Sequence, residues 1–149
     1  MDSINRLSEQ PEINSIVFTP ELIKKMQEHV SQTNPEEACG LVAGKNGSAA
    51  LVIPMINILH SPVRFRMDPR EQLNAFNFIE GAGLELQAIY HSHPSGPETP
   101  SLTDINEAYY PEACSIIWSY NSGCWKYRCF SIQSGRVQEL NLEIKPGYQ

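Results

Sequence analysis

The stretch LELQAIYHSHPSGPETPSLTD, Leu84 to Asp104, decides how this chain is read. Its first seven residues, Leu84 to Tyr90, read as a strand. Side chains two apart on a strand point to the same face, so His91 and His93, where that strand ends, converge on one point. Pro94, Gly96, Pro97 and Pro100 then forbid regular structure and force a stiff loop. That loop can bring Asp104 back as a third group. Two imidazoles and a carboxylate are a ligand set for a catalytic divalent metal, most often zinc, with one coordination position left for water. An HxH pair by itself also arises by chance among packed or solvated histidines. Here the strand end, the Pro/Gly loop and the later carboxylate occur together. His29 and His60 lack such company and read as helix-face and loop residues.

Outward from this stretch the chain alternates helix and strand. Ile16 to Thr19 reads as a first strand. Thr19 then caps a helix whose first turn holds Pro20. Leu22, Ile23, Met26 and Val30 recur at helical spacing and carry that helix to about Gln32. Cys39–Ala43 and Ala49–Ile53 are strands around the turn Lys45-Asn46-Gly47. Asp68-Pro69 repeats the cap and first turn, and the second helix sets Leu73, Phe76 and Ile79 on one side before ending near Gly81 or Gly83. A short helix is predicted from Ser101–Thr103 to about Tyr109. Strands follow over Ala113–Tyr120, Cys124–Ile132 and Arg136–Ile144, joined at Asn121-Ser122-Gly123 and Ser134-Gly135. The fold class is therefore α/β, a mixed sheet flanked by helices.

At 149 residues the chain suits one hydrophobic core, hence a single domain over 1–149. Its first 13 residues are polar and are expected to be mobile. Hydrophobic content of 41% with 19% charged residues is ordinary for a soluble globular protein. No apolar run approaches the ~20 residues that span a bilayer. The N-terminal MDSINRLSEQ lacks an apolar signal core, which predicts a cytoplasmic protein with reduced thiols at Cys39, Cys114, Cys124 and Cys129. A net charge of −6 argues against nonspecific binding to nucleic acid or anionic membranes. Cys39 reads as a packed thiol rather than a nucleophile. Ser92 and Ser95 read as loop residues, and Trp118 and Trp125 as core or sheet-face residues.

The full pattern, His-x-His, ten residues, then Asp, with Ser101 three before it, resembles the JAMM or MPN-plus metalloproteases. That family also carries an upstream glutamate, often in Glu-x-Cys-Gly. PEEACGLVAG, Pro35 to Gly44, supplies Glu37-Ala38-Cys39-Gly40, and FRMDP, Phe65 to Pro69, is similar to a segment of the compact prokaryotic branch. The resemblance runs from about Thr19 to Tyr120. It implies a cytidine-deaminase-like three-layer fold and one Zn²⁺ held by His91, His93 and Asp104. Glu37 would be the general acid/base and Ser101 the donor to the oxyanion. Without the resemblance, Glu37 and Asp104 read equally well as solvated charges and Ser101 as a helix cap. Deamination is disfavoured, because the His-x-Glu and Pro-Cys-x-x-Cys ligand signature is absent.

The resemblance further implies an amide bond at the C-terminus of a ubiquitin-like β-grasp sulfur-carrier protein as substrate. Cleavage would release an amino acid such as cysteine or a short tail, and the carrier's end would add as a strand to an open sheet edge. Three other readings stand beside it: a hydrolase of cell-wall or phage-tail peptides, a non-catalytic MPN scaffold, and a protein like the DNA-repair-associated RadC type.

Overall fold

Two helix starts follow the same chemistry. The Thr19 hydroxyl accepts from Leu22 N–H at 3.3 Å and Pro20 opens α1 (Pro20–Thr33). Asp68 accepts from Arg70 and Glu71 N–H groups, and Pro69 opens α2 (Pro69–Gly81). A side-chain acceptor satisfies donors that the first turn leaves orphaned, and proline there has no N–H to lose. These helices sit in a computed structural model that describes residues 15–147. The segment 1–13, expected from its polarity to be mobile, lies outside the described residues.

Among the described residues seven strands form one mixed sheet: β1 (Ser15–Phe18), β2 (Cys39–Lys45), β3 (Ser48–Met55), β4 (Glu85–His93), β5 (Cys114–Asn121), β6 (Cys124–Gln133) and β7 (Arg136–Ile144). The hairpins β2–β3, β5–β6 and β6–β7 each turn on two residues of positive φ: Asn46-Gly47, Ser122-Gly123 and Ser134-Gly135. Such turns match the twist of the strands they join. The spatial order is β1-β3-β2-β4-β5-β6-β7, and β1 pairs in parallel with β7 to close the sheet. Each strand thus has two neighbours. Among the described residues, the edge available for an added strand is β3 from Ala49 to Met55, where β1 pairs only Ser48, and the first half of β7, where β1 pairs only Asn141–Ile144.

Strand alternation then sorts the residues onto two faces. Val42, Val52, Ala88, Tyr90, Ile116 and Trp118 pack with Met26 and Val30 of α1. Cys39, Leu41, Ala43 and Ile89 face the other way and pack with Ala75 and Ile79 of α2. Helix–sheet–helix layers result. Two local expectations are corrected. Leu73 stands 58% exposed, because the α2 stripe that meets the sheet runs through Ala75 and Ile79. The third helix, α3 (Leu102–Asn106), stops short of Tyr109, whose N–H turns back to Glu107 O. Among the described residues no helix is long and apolar enough to cross a membrane.

Candidate metal centre

Strand β4 does not end before the histidines but runs through them. His91 pairs with Cys39 of β2 and Ile117 of β5, and His93 with Ser119 of β5. Both imidazoles leave the sheet on the α2 side, opposite Tyr90. Strands β4 and β5 run parallel, and parallel neighbours cannot be joined by a tight turn. The chain must therefore cross over between His93 and Cys114, and this crossover carries Ser101 and Asp104 back above the histidines. Stiff Pro/Gly chemistry shapes the loop; the parallel pairing dictates that it return.

The three donors meet closely. His91 Nε2 and His93 Nε2 lie 3.0 Å apart, and each is 3.1 Å from Asp104 Oδ2. A tetrahedral ion with bonds of ~2.0–2.1 Å sets its ligands about 3.3 Å apart, so this triangle has the dimensions of a metal face. His93 Nδ1 donates to the Pro97 carbonyl at 2.7 Å, which leaves Nε2 with its lone pair toward the other two donors. Phe65 stacks on the His91 ring, centroids 4.7 Å apart, and keeps water from that side. The FRMDP segment thus supplies this ring, buried Met67 and the α2 cap at Asp68.

Asp104 and Ser101 form a reciprocal cap. Asp104 N–H donates to Ser101 Oγ at 3.0 Å, and Ser101 N–H donates to Asp104 Oδ2 at 2.9 Å. The Ser101 oxygen is thereby engaged as an acceptor while its O–H remains available to donate. The capping role and a donor role are compatible.

Glu37 lies just before β2, 4% exposed, with a carboxylate oxygen within 4.8 Å of ring nitrogens of both His91 and His93. It stands farther from the histidines than Asp104 does. Burial, above all, pushes its pKa to about 7; the Asp104 charge adds to this and His93 opposes it. Burial also works against the Asp104 charge, yet the hydrogen bonds from His91 and His93 win and hold its pKa well below 3.8. On His93 burial is likewise outweighed, by hydrogen bonds to Asp104 and Pro97 and by the nearby carboxylates, so its pKa rises. Cys39, fully buried and beside Glu37, has its thiol pushed up to about 12, chiefly by burial. Buried and protonated, it packs as a small apolar side chain.

Several residues near this centre carry no signal in the sequence. Ser92, read as a loop residue, is a fully buried strand residue whose Oγ accepts from Ala38 N–H at 2.7 Å. Asn57, 4% exposed, donates to the Glu37 carbonyl at 3.0 Å. His29 is not a plain helix-face residue, because its Nδ1 meets the Tyr90 hydroxyl at 2.7 Å. His60 is a loop residue on the surface, paired with Glu36. Beside the donors opens a cleft of about 210 Å³, its walls formed by Phe65, Met67, Tyr109, Tyr110 and Ile132, with His91 and Asp104 in its lining. Glu107 in this lining pairs with Arg64 at 2.8 Å.

Comparison with known proteins gives a consistent result. The family of prokaryotic homologues of the JAB domain matches residues 19–132. Over 136 residues the chain is 33% identical to the CysO-cysteine peptidase of Mycobacterium tuberculosis, covering 89% of this chain and 93% of that one. Over 95 residues it is 40% identical to a Thermus thermophilus protein named "Probable TtuB-protein conjugate cleaving protease", covering 62% and 64% respectively. A solution structure from Desulfitobacterium hafniense superposes with TM-score 0.79 at 32% identity, over 89% of this chain and 94% of the other. A JAB1/MPN domain protein from Archaeoglobus fulgidus shares the fold, with TM-score 0.59 at 20% identity over 88% and 98%.

Proposed function

Since the chain belongs to the prokaryotic JAB family and is a metallopeptidase of the JAMM type, we propose that it hydrolyses the amide bond at the C-terminus of a ubiquitin-like β-grasp sulfur-carrier protein, releasing an amino acid such as cysteine or a short tail. The observation that carries this reading is the convergence of His91, His93 and Asp104 beside a buried carboxylate, Glu37. Two relatives are named for cleaving CysO-cysteine and TtuB-protein conjugates, bonds that join a protein to an amino acid or to another protein.

In this reading His91, His93 and Asp104 would hold one Zn²⁺, which would supply Lewis acidity to the scissile carbonyl and to a water near pH 7. Glu37, with a pKa of about 7, is poised to take a proton from that water and hand it to the leaving amine. The Ser101 hydroxyl, its oxygen already accepting from Asp104 N–H, donates its proton toward the oxyanion. The extended carrier tail has two places to lie, along the free side of β3 as an added strand and in the cleft between Phe65–Met67 and Tyr109–Tyr110. The cysteines, all free among the described residues, suit a reducing cytoplasm.

The test uses zinc-loaded protein and two carriers, one bearing a C-terminal cysteine after Gly-Gly and one a longer tail. Mass spectrometry should show a carrier ending in Gly-Gly. Intact carriers after incubation with folded, zinc-loaded protein would overturn the proposal.

A further inference from the structure

Glu37 and Ala38 belong to no helix or strand, yet all four of their backbone polar groups are bonded. Ala38 is held by Ser92, whose Oγ accepts from Ala38 N–H at 2.7 Å and whose own N–H donates to Ala38 O at 3.0 Å. Glu37 is held by the loop that follows β3. Its N–H donates to Ser61 O at 2.8 Å, and its carbonyl accepts from Asn57 Nδ2 at 3.0 Å. The remaining contacts of the Asn57 side chain stay within its own loop. Nδ2 also donates to Arg64 O at 3.0 Å and reaches Ser61 O at 3.5 Å, while Oδ1 accepts from Leu59 and Arg66 N–H groups, both at 3.1 Å.

A residue needed only to fold this loop would find all its partners inside it. Asn57 reaches out once, to the peptide that carries the carboxylate, and it does so while 4% exposed. Buried amides with every polar atom engaged are rigid, and a rigid support is what a proton-transfer group requires, since small displacements are costly in rate. We propose that Asn57 is a positioning residue for Glu37: its amide locks the Glu37 backbone and so sets where the carboxylate stands relative to His91, His93 and Asp104. The inference rests on Glu37 acting as the base.

The discriminating variant is Asn57→Asp. It keeps the acceptor oxygen for Leu59 and Arg66 but turns the donor nitrogen into an oxygen facing three carbonyls. Zinc content stays at the wild-type level, kcat for carrier cleavage falls about 10- to 100-fold, and KM changes little. Hydrogen exchange at the Glu37 amide speeds up, while the amides of β2 stay protected. An unchanged kcat, or loss of zinc along with activity, would overturn the proposal. Should the variant fail to fold, NMR of the zinc-loaded wild type decides. The Asn57 side-chain amide protons exchange slowly if the lock exists, and exchange at solvent rates sinks it. If the wild type cleaves no carrier, the functional reading fails instead, whatever the exchange data show.

Discussion

Strand β4 presents buried polar groups on both faces, and the two sets are built to opposite ends. On the α1 side the Tyr90 hydroxyl meets His29 Nδ1 at 2.7 Å. Burial lowers the His29 pKa and favours its neutral ring. One donor meets one acceptor, and the pair is complete. On the α2 side, two imidazole nitrogens and a carboxylate oxygen crowd within 3.0–3.1 Å of one another. With His93 Nδ1 spending its proton on Pro97, this crowding is relieved by an added proton in the metal-free protein or by a metal cation among the three atoms. A buried polar group that closes on a partner is structure. One that converges on others of its own kind has the arrangement of a ligand set.

Variants on the two faces should therefore differ in kind. His93→Ala removes one corner of the triangle, and zinc stoichiometry by metal analysis and carrier cleavage both fall to background. Glu37→Gln spares the triangle. Zinc content stays at the wild-type level while turnover drops about 10²- to 10⁴-fold, the usual contribution of a general acid/base. Retained turnover would show that the carboxylate beside the triangle is not the base. Ser101→Ala lowers kcat by about 10²- to 10³-fold if its O–H reaches the oxyanion. A shift in melting temperature alone would leave it a helix cap.

A smaller effect appears in metal-free protein. The Glu37 carboxyl titrates near 7 in the fold against 4.5 ordinarily, so the unfolded chain releases its proton first. Its contribution to stability is whole below pH 4.5 and lost as pH rises towards 7. Urea midpoints of the metal-free protein measured across this window fall with pH, and Glu37→Gln flattens the fall. Asp104 acts in the opposite sense, stabilising above pH 3.8 and losing that effect as acid protonates it. The smallest effect belongs to the other face. Tyr90→Phe costs about 1 kcal/mol by urea denaturation, the size of a single hydrogen bond, and leaves zinc content unchanged. Lost zinc in that variant would break the distinction between the faces.

How much of this was legible varies by residue. His91 and His93 share a face because strands have a period of two, which holds wherever the strand packs. The helix caps at Thr19 and Asp68 and the Asn46-Gly47 turn are equally local. Ser92 was misread because proline and glycine after it suggested a loop, whereas the strand persists through His93 under pairing from β2 and β5. Asn57 gave no sign of itself, since its partner Glu37 is 20 residues away and the contact runs through a loop without periodicity. Gly40 looked like part of a motif. Its physical reason is Tyr90, whose ring a Cβ at that position would strike.

The sequence by itself determined the elements, their turns, and the donors that could share a cation, because turn chemistry and side-chain alternation are settled within a few residues. Only the tertiary structure decided that the sheet closes β1 onto β7, that the parallel β4–β5 pair sends Asp104 back over the histidines, and that the Glu37–Ala38 pair is clamped from two sides. Those outcomes join residues from 11 to 126 positions apart. Such contacts exist only once the strands are in register and the core has excluded water, which no local pattern encodes.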